Sequence, residues 1–471
     1  MTVDEKEKDT TVVENPLDRL SAEQLEQLAE EFDALHDEVF EDLGDRDRVY
    51  ITSIIKMERQ LIALGRALLT GSRHKPAWIA GTAALGAAKI LENMEIGHNV
   101  MHGQWDWMND PQIHSSTWDW DSASSAEAWK HSHNYIHHTY TNILGKDKDL
   151  GYEIMRIDPH QKWHPVYLAQ PIYNLILMGL FEWGVAFHDL DLEALREGEK
   201  SPEEVLHDLK GIWGKARDQI VKDYVGWPLV SALATSAAVT AWEARGVAGR
   251  SPSGWKAGGT IGRWARRRNR RRVLAAGASK GLAEGARTFK TTVAANATAN
   301  VVRNLWSYSI IFCGHFPDQT YVYTQDEVAD ETRGGWYVRQ LSGAANITGG
   351  DFFHVMSGNL GYQVEHHLYP DMPSSRYSEI APRVKEICER YELPYNAGPF
   401  GKQLGMVHRT IIRLAFPGGK PREKPGPYKG GDGDVRPTTV ASNGGTHGLR
   451  TSRGNGGPDR SQDGVRVSIP D

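Results

Sequence analysis

Apolar residues in this chain gather into a few long runs separated by stretches dense in charge. The runs at 77–96, 166–187, 224–242 and 299–312 approach the ~20 residues a helix needs to cross a ~30 Å hydrocarbon layer. None is free of polar groups. Lys89, Glu92 and Glu95 interrupt the first, Glu182 the second, and Arg303 and Asn304 lie in the fourth. Ionisable groups inside a span face the interior of a helix bundle, so the pattern predicts helices packed on one another. A different pattern runs from 21 to 43. Leu25, Leu28, Phe32, Leu35 and Val39 form one stripe at helical spacing, behind the capping box Ser21-Ala-Glu-Gln24. The outer face of that helix is acidic, which favours packing on protein over lying on anionic lipid.

Domain boundaries follow. Residues 1–44 read as a charged N-terminal segment with this amphipathic helix, its first 19 residues disordered. Residues 45–416 read as the membrane domain. From 417 to 471 the chain is rich in Gly, Pro, Ser and Arg and too poor in apolar residues to form a core. Within the domain, 243–288 reads as an arginine-rich insertion: a flexible loop, a basic patch drawn to lipid headgroups, or the product of a shifted reading frame in a GC-rich gene. A net charge of −6 argues against a nucleic-acid partner. The first 20 residues lack the apolar core of a signal peptide. Cys313 and Cys388 give no disulfide framework, which suits a site in a reducing cytoplasm.

The chemistry lies in the histidines. His131, His133, His137 and His138 fall within eight residues, and His98-x3-His102 and Gln363-x2-His366-His367 answer them upstream and downstream. On α-helices, His98 and His102 share a face, as do His133 and His137, with His138 turned about 100° away. Neutral imidazole is the commonest nitrogen ligand of metals. Three clusters exceed what one four-coordinate zinc can use, and the chain has no His-Glu-x-x-His motif. A carboxylate di-iron bundle would use Glu95-x-x-His98 and Glu204-x-x-His207. That reading leaves five clustered histidines without purpose. A pair of redox metals fits the ligand count better.

The three boxes resemble those of the integral-membrane fatty acid desaturases, in particular the actinobacterial stearoyl-CoA (Δ9) type. The likeness extends through Lys89 to Trp107, Tyr140-Thr-Asn-Ile-Leu-Gly145, Ile311-Phe-Cys-Gly-His-Phe-Pro317 and Met356 to Pro370, and covers roughly 45 to 415. It implies an all-α membrane protein, with about four transmembrane helices under a helical cytosolic cap that holds a histidine-ligated di-iron site. Two irons would be held by His98, His102, His133, His137, His138, His315, His366 and His367. Gln363 stands where many members have histidine. It is a metal or outer-sphere candidate with His131, Asp147 and Asp149, and Glu365 is a further orienting acid.

The implied reaction is O₂-dependent desaturation of a saturated acyl-CoA or lipid-linked acyl chain, with electrons from a separate reductase. A front-end desaturase, an acyl hydroxylase and a metal-binding membrane protein without turnover are the alternatives. The implied location is the cell membrane, multi-pass, with the metal site cytoplasmic. For both ends of the metal set to meet on one side, an extra crossing at 50–69 is needed, and 166–187 then lies along the interface.

Overall fold

The computed structural model describes residues 15–248 and 260–418, together with Lys424 and Tyr428. The predicted first helix, α1 (Ala22–Glu41), begins at the expected cap. Ser21 Oγ accepts from the Gln24 amide at 3.2 Å, and the Gln24 side chain accepts from the Ser21 amide at 2.9 Å. Its stripe is buried as the pattern requires: Leu28, Phe32 and Leu35 enter a core with Trp336, Tyr337 and Leu341. The acidic face is paired with protein, through Glu31 to Arg390 and Tyr391 and Asp33 to Arg333 and Tyr337.

Two antiparallel hairpins carry the long helices. In the first, α2 (Asp45–Leu69) turns through residues 70–74 into α3 (Lys75–Ile90). The helices meet at glycine: a Cβ on Gly65 would stand 2.7 Å from Leu85 Cγ, and one on Gly81 2.9 Å from Leu69 Cγ. The run 166–187 then breaks into a 3-10 turn, α4 (Gln170–Gly179) and α5 (Phe181–His188). At 1.5 Å per residue neither helix crosses a bilayer. Ile172, Leu175, Ile176 and Leu180 are exposed along them.

Next, α6 (Pro202–Gln219) passes through a π-helical turn, Ile220–Gly226, into α7 (Trp227–Ala248). Among the described residues this segment, Pro202–Arg245, is the one long and apolar enough to cross a membrane by length and composition. The chain returns in α8 (Thr260–His315), which packs along both α7 and α3. Small residues allow the approach: a Cβ on Gly285 would meet Ser236 Oγ at 2.0 Å.

Polar groups within the runs find partners inside the bundle. Asp223 accepts from Arg66 and from Lys89, each at 2.8 Å, and Arg303 pairs with Glu182. Residues 260–288, expected as part of a loop, are the first half of α8. Their Ala, Leu, Arg and Lys are strong helix formers, and α7 gives their later turns a surface to pack on. The expectations for 1–14, 249–259 and most of the tail lie outside the described residues. Residues 15–19 include a 3-10 turn, Pro16–Arg19. In the tail, the Tyr428 amide donates to the Leu393 carbonyl at 2.9 Å.

The cap follows α8. It holds α9 (Arg333–Gly343), a two-stranded parallel sheet of β1 (Asn346–Thr348) and β2 (Ala397–Pro399) in register Asn346↔Ala397, a short helix at Asp351–Met356, and three further helices. These are α10 (Gln363–Leu368), α11 (Tyr377–Arg390) and α12 (Phe400–Leu414). The cap is joined to α2 by Arg376, whose guanidinium donates to both Asp47 oxygens at 2.6 and 2.7 Å.

Candidate metal centre

Two of the three boxes depart from the expected α-helix. The segments Leu91–His98 and Lys130–His137 are π-helical turns, each running into a short α-helical piece. The sequence spacing is the same in either helix, so it could not reveal the wider turn. A local reason is visible in the first box. A Cβ on Gly97 would lie 2.8 Å from the Glu92 carbonyl oxygen and 3.2 Å from Trp120 Cβ. Such bulges are frequent at functional sites. The pairs still meet, with ring centroids 4.7 Å apart for His98 and His102 and 5.1 Å for His133 and His137.

The third box is α10, fixed from the sheet. Asn346 Oδ1 accepts from the Val364 amide at 2.8 Å, and its Nδ2 donates to Glu365 at 2.8 Å. Tyr395 donates to the other Glu365 oxygen at 2.7 Å. Asn346 therefore holds the backbone of this box, and among the described residues Glu365 bonds no histidine ring.

The boxes converge. His98, His102, His133 and His366 bring ligand atoms within 4.8 Å of one another, as do His137, His315 and His367. His138 joins the two groups, its ring 4.7 Å from that of His102, 4.9 Å from His366 and 4.5 Å from His367. A third trio, His133, His137 and Asp149, shares members with both. Gln363 Nε2 lies 3.0 Å from His315 Nε2. His131 is not brought in: it is exposed and stacks on Tyr135. The carboxylate-bundle residues separate too. Glu95 is buried among Tyr50, Ser374 and Asn359, whereas Glu204 merely caps α6 and His207 is exposed.

The donor set suits metal ions. The Nε2 atoms of His102, His133, His137 and His138 are buried with no hydrogen-bond partner among the described residues. Buried polar atoms left unpaired are costly, so four of them facing a shared space point to an electrophile that satisfies all. Burial first, and neighbouring imidazoles second, hold His98, His102, His138, His366 and His367 well below the usual histidine pKa. That keeps them neutral, the form that binds metal.

Other groups orient the rings. Asp147 lies 3.0 Å from His137 Nδ1, Asp149 3.2 Å from His133 Nδ1, Tyr377 3.1 Å from His366 Nδ1 and Gln340 3.0 Å from His367 Nδ1. Asp147 is buried and Asp149 largely so, unlike solvated loop acids. Burial lowers the His137 pKa, but the carboxylates of Asp147 and Asp149 outweigh it and the net shift is upward. His188, undecided from sequence, is buried with Nε2 3.0 Å from Asp149. Sequence reading missed Gln340 and Tyr377, which carry no local signal. His354 stacks on Tyr362 instead.

A small cavity adjoins the first group. Its wall includes His98, His133, Tyr152, Phe181, His188 and Ile311.

Comparison with known proteins gives the family. The family model described as fatty acid desaturase matches residues 239–399. An NADPH-dependent stearoyl-CoA 9-desaturase of Mycobacterium tuberculosis is 42% identical over 393 residues, 83% of this chain and 80% of the relative. An sn-1 linoleoyl-lipid 6-desaturase of Synechocystis is 24% identical over 338 residues, 69% of this chain and 76% of the relative. Human fatty acid desaturase 3 is 34% identical over 111 residues, 24% of this chain and 23% of the relative. No solved structure matches. The histidine-rich chain belongs to the fatty acid desaturase family and is a fatty acyl desaturase, an oxidoreductase.

Proposed function

We propose that the chain introduces a double bond near the middle of a saturated acyl-CoA, at two irons held by its three histidine boxes. The observation that carries the reading is the set of buried, unpartnered Nε2 atoms on His102, His133, His137 and His138. One iron is assigned to His98, His102, His133 and His366, the other to His137, His315 and His367. His138 lies between, and Gln363 beside His315. When bound, iron supplies the O₂-derived oxidant that removing hydrogen from unactivated methylenes demands.

The residues around the irons set the conditions for that chemistry. Asp147, Asp149, Gln340 and Tyr377 each engage an Nδ1 and so leave Nε2 for metal. The cavity beside His98 and His133 receives the acyl chain and excludes water. The acyl-CoA substrate and Δ9 position rest on the likeness to the mycobacterial stearoyl-CoA 9-desaturase. That relative's NADPH dependence supports a separate NADPH-linked reductase as electron donor here.

The bilayer is crossed by α2, α3, α7 and α8, in two hairpins. Both returning helices then end on the cytoplasmic side, where His98 and His315 lie close to their tips. The exposed apolar face of α4 and α5 rests in the interface.

Expression with a matching reductase, followed by fatty-acid profiling and iron analysis, tests the reading. The expected result is a Δ9 double bond and about two irons per chain. A hydroxy acid, a double bond near the carboxyl end, or bound iron with no altered acid would each replace it with another activity.

A further inference from the structure

Three consecutive residues, Gly151, Tyr152 and Glu153, have φ of 71°, 51° and 57°. Glycine accepts that conformation freely, but a bulky residue in it is an outlier that costs free energy. The surroundings hold it in place. The amides of Ile154 and Met155 donate to the Gly151 carbonyl at 3.2 and 3.0 Å, and the Tyr152 amide donates to the Asp149 carbonyl at 3.1 Å. The segment begins two residues after Asp149, which bonds both His133 and His188. Its local geometry is thereby tied to the metal centre.

The left-handed backbone sets Tyr152 into the cavity wall. Its ring stacks parallel to Phe312 at 5.6 Å, one turn before His315, and lies 5.1 Å from His188 and 5.8 Å from Phe181. A left-handed backbone that sets an aromatic ring between the cavity and the histidines has no structural explanation in the bundle itself.

We propose that Tyr152 is a specificity-determining residue, the wall against which the acyl chain is aligned so that one methylene pair faces the irons. This rests on the acyl-desaturase reading of the cavity. Sliding the chain by one methylene past a fitted apolar wall is discriminated by roughly 10- to 200-fold. Removing the ring abolishes that discrimination while leaving the ligands untouched.

The test co-expresses the full chain with its reductase, supplies saturated acyl chains of a single length, and resolves positional isomers by mass spectrometry of derivatised products. Tyr152→Asn suits the site, because asparagine tolerates left-handed φ. It should fold, hold iron and give mixed double-bond positions, the ratio of principal to neighbouring isomer falling toward one. Tyr152→Phe should keep the single isomer. If Tyr152→Asn does not fold, Tyr152→His, with its smaller ring, is scored the same way.

An unchanged isomer ratio in a folded ring-shortened variant overturns the inference. So does complete loss of product with iron retained, since a wall that only aligns the chain leaves oxidation intact. A wild-type chain that makes no double bond sinks the desaturase reading instead.

Discussion

Replacing Asp147 with asparagine tests how far the acids beside box two control iron. The Asp147 side chain is 1% exposed, and all its partners are donors. One oxygen lies 3.0 Å from His137 Nδ1 and 3.0 Å from the Asp149 amide; the other accepts from the Asn142 amide at 2.7 Å. An asparagine of the same shape must turn its NH₂ toward one of these sets. Either His137 loses its acceptor, or the Asn142 amide faces a second donor. In both cases the charge that orients the His137 ring is gone. Loss of such an orienting partner weakens metal binding by roughly 10- to 100-fold, which is about 1.4–2.7 kcal/mol. The group of His137, His315 and His367 should bear that loss. Iron retained after dialysis against graded chelator reads it directly, and thermal unfolding of the iron-free protein checks that the fold survives. Asp330→Asn, at an exposed acid, is the control. If Asp147→Asn keeps iron as tightly as that control, the orienting role assigned to Asp147 is wrong.

Two further substitutions probe the scaffold. Gly97→Ala places a methyl 2.8 Å from the Glu92 carbonyl oxygen, so the π-helical turn must shift. Overpacking of this kind costs about 1–3 kcal/mol, and iron content should fall with thermal stability; unchanged values in both would refute the account of the bulge. Arg376→Met strands the buried Asp47 carboxylate, at a cost of about 3–5 kcal/mol in chemical denaturation. Adding Asp47→Leu should recover much of it, and a double variant no more stable than the single one would count against a pair-specific effect.

What the sequence disclosed depended on whether function resides in a residue's type or in its neighbours. Imidazole carries its chemistry wherever it sits, so the boxes were legible before any fold. The stripe of α1 was legible for a similar reason, because period and cap are local. Gln340 and Tyr377 were silent, since each becomes an orienting group only when a distant helix sets it beside His367 or His366. The π-helical turns were hidden because i,i+4 spacing reads identically in both helices. Residues 260–288 misled through arginine density, which suggests a loop until α7 supplies a surface for the helix.

The polar content of α2 made it the least convincing of the long helices, and the structure supplies a reason for it. Arg66 donates to Asp223 and Asn296, and Glu58 is buried rather than turned outward. Those charges weaken the apolar signal because they face inward, where they tie the first hairpin to the second. The hairpin itself has a consequence for chemistry. Because α2 turns back as α3, and α7 as α8, the returning helices end together, one leading into His98 and the other closing on His315. Lose either turn and one histidine stands at the opposite end of the bundle, beyond reach of the boxes in the cap. The helix least recognisable from composition is therefore the one that lets distant histidines share a cluster.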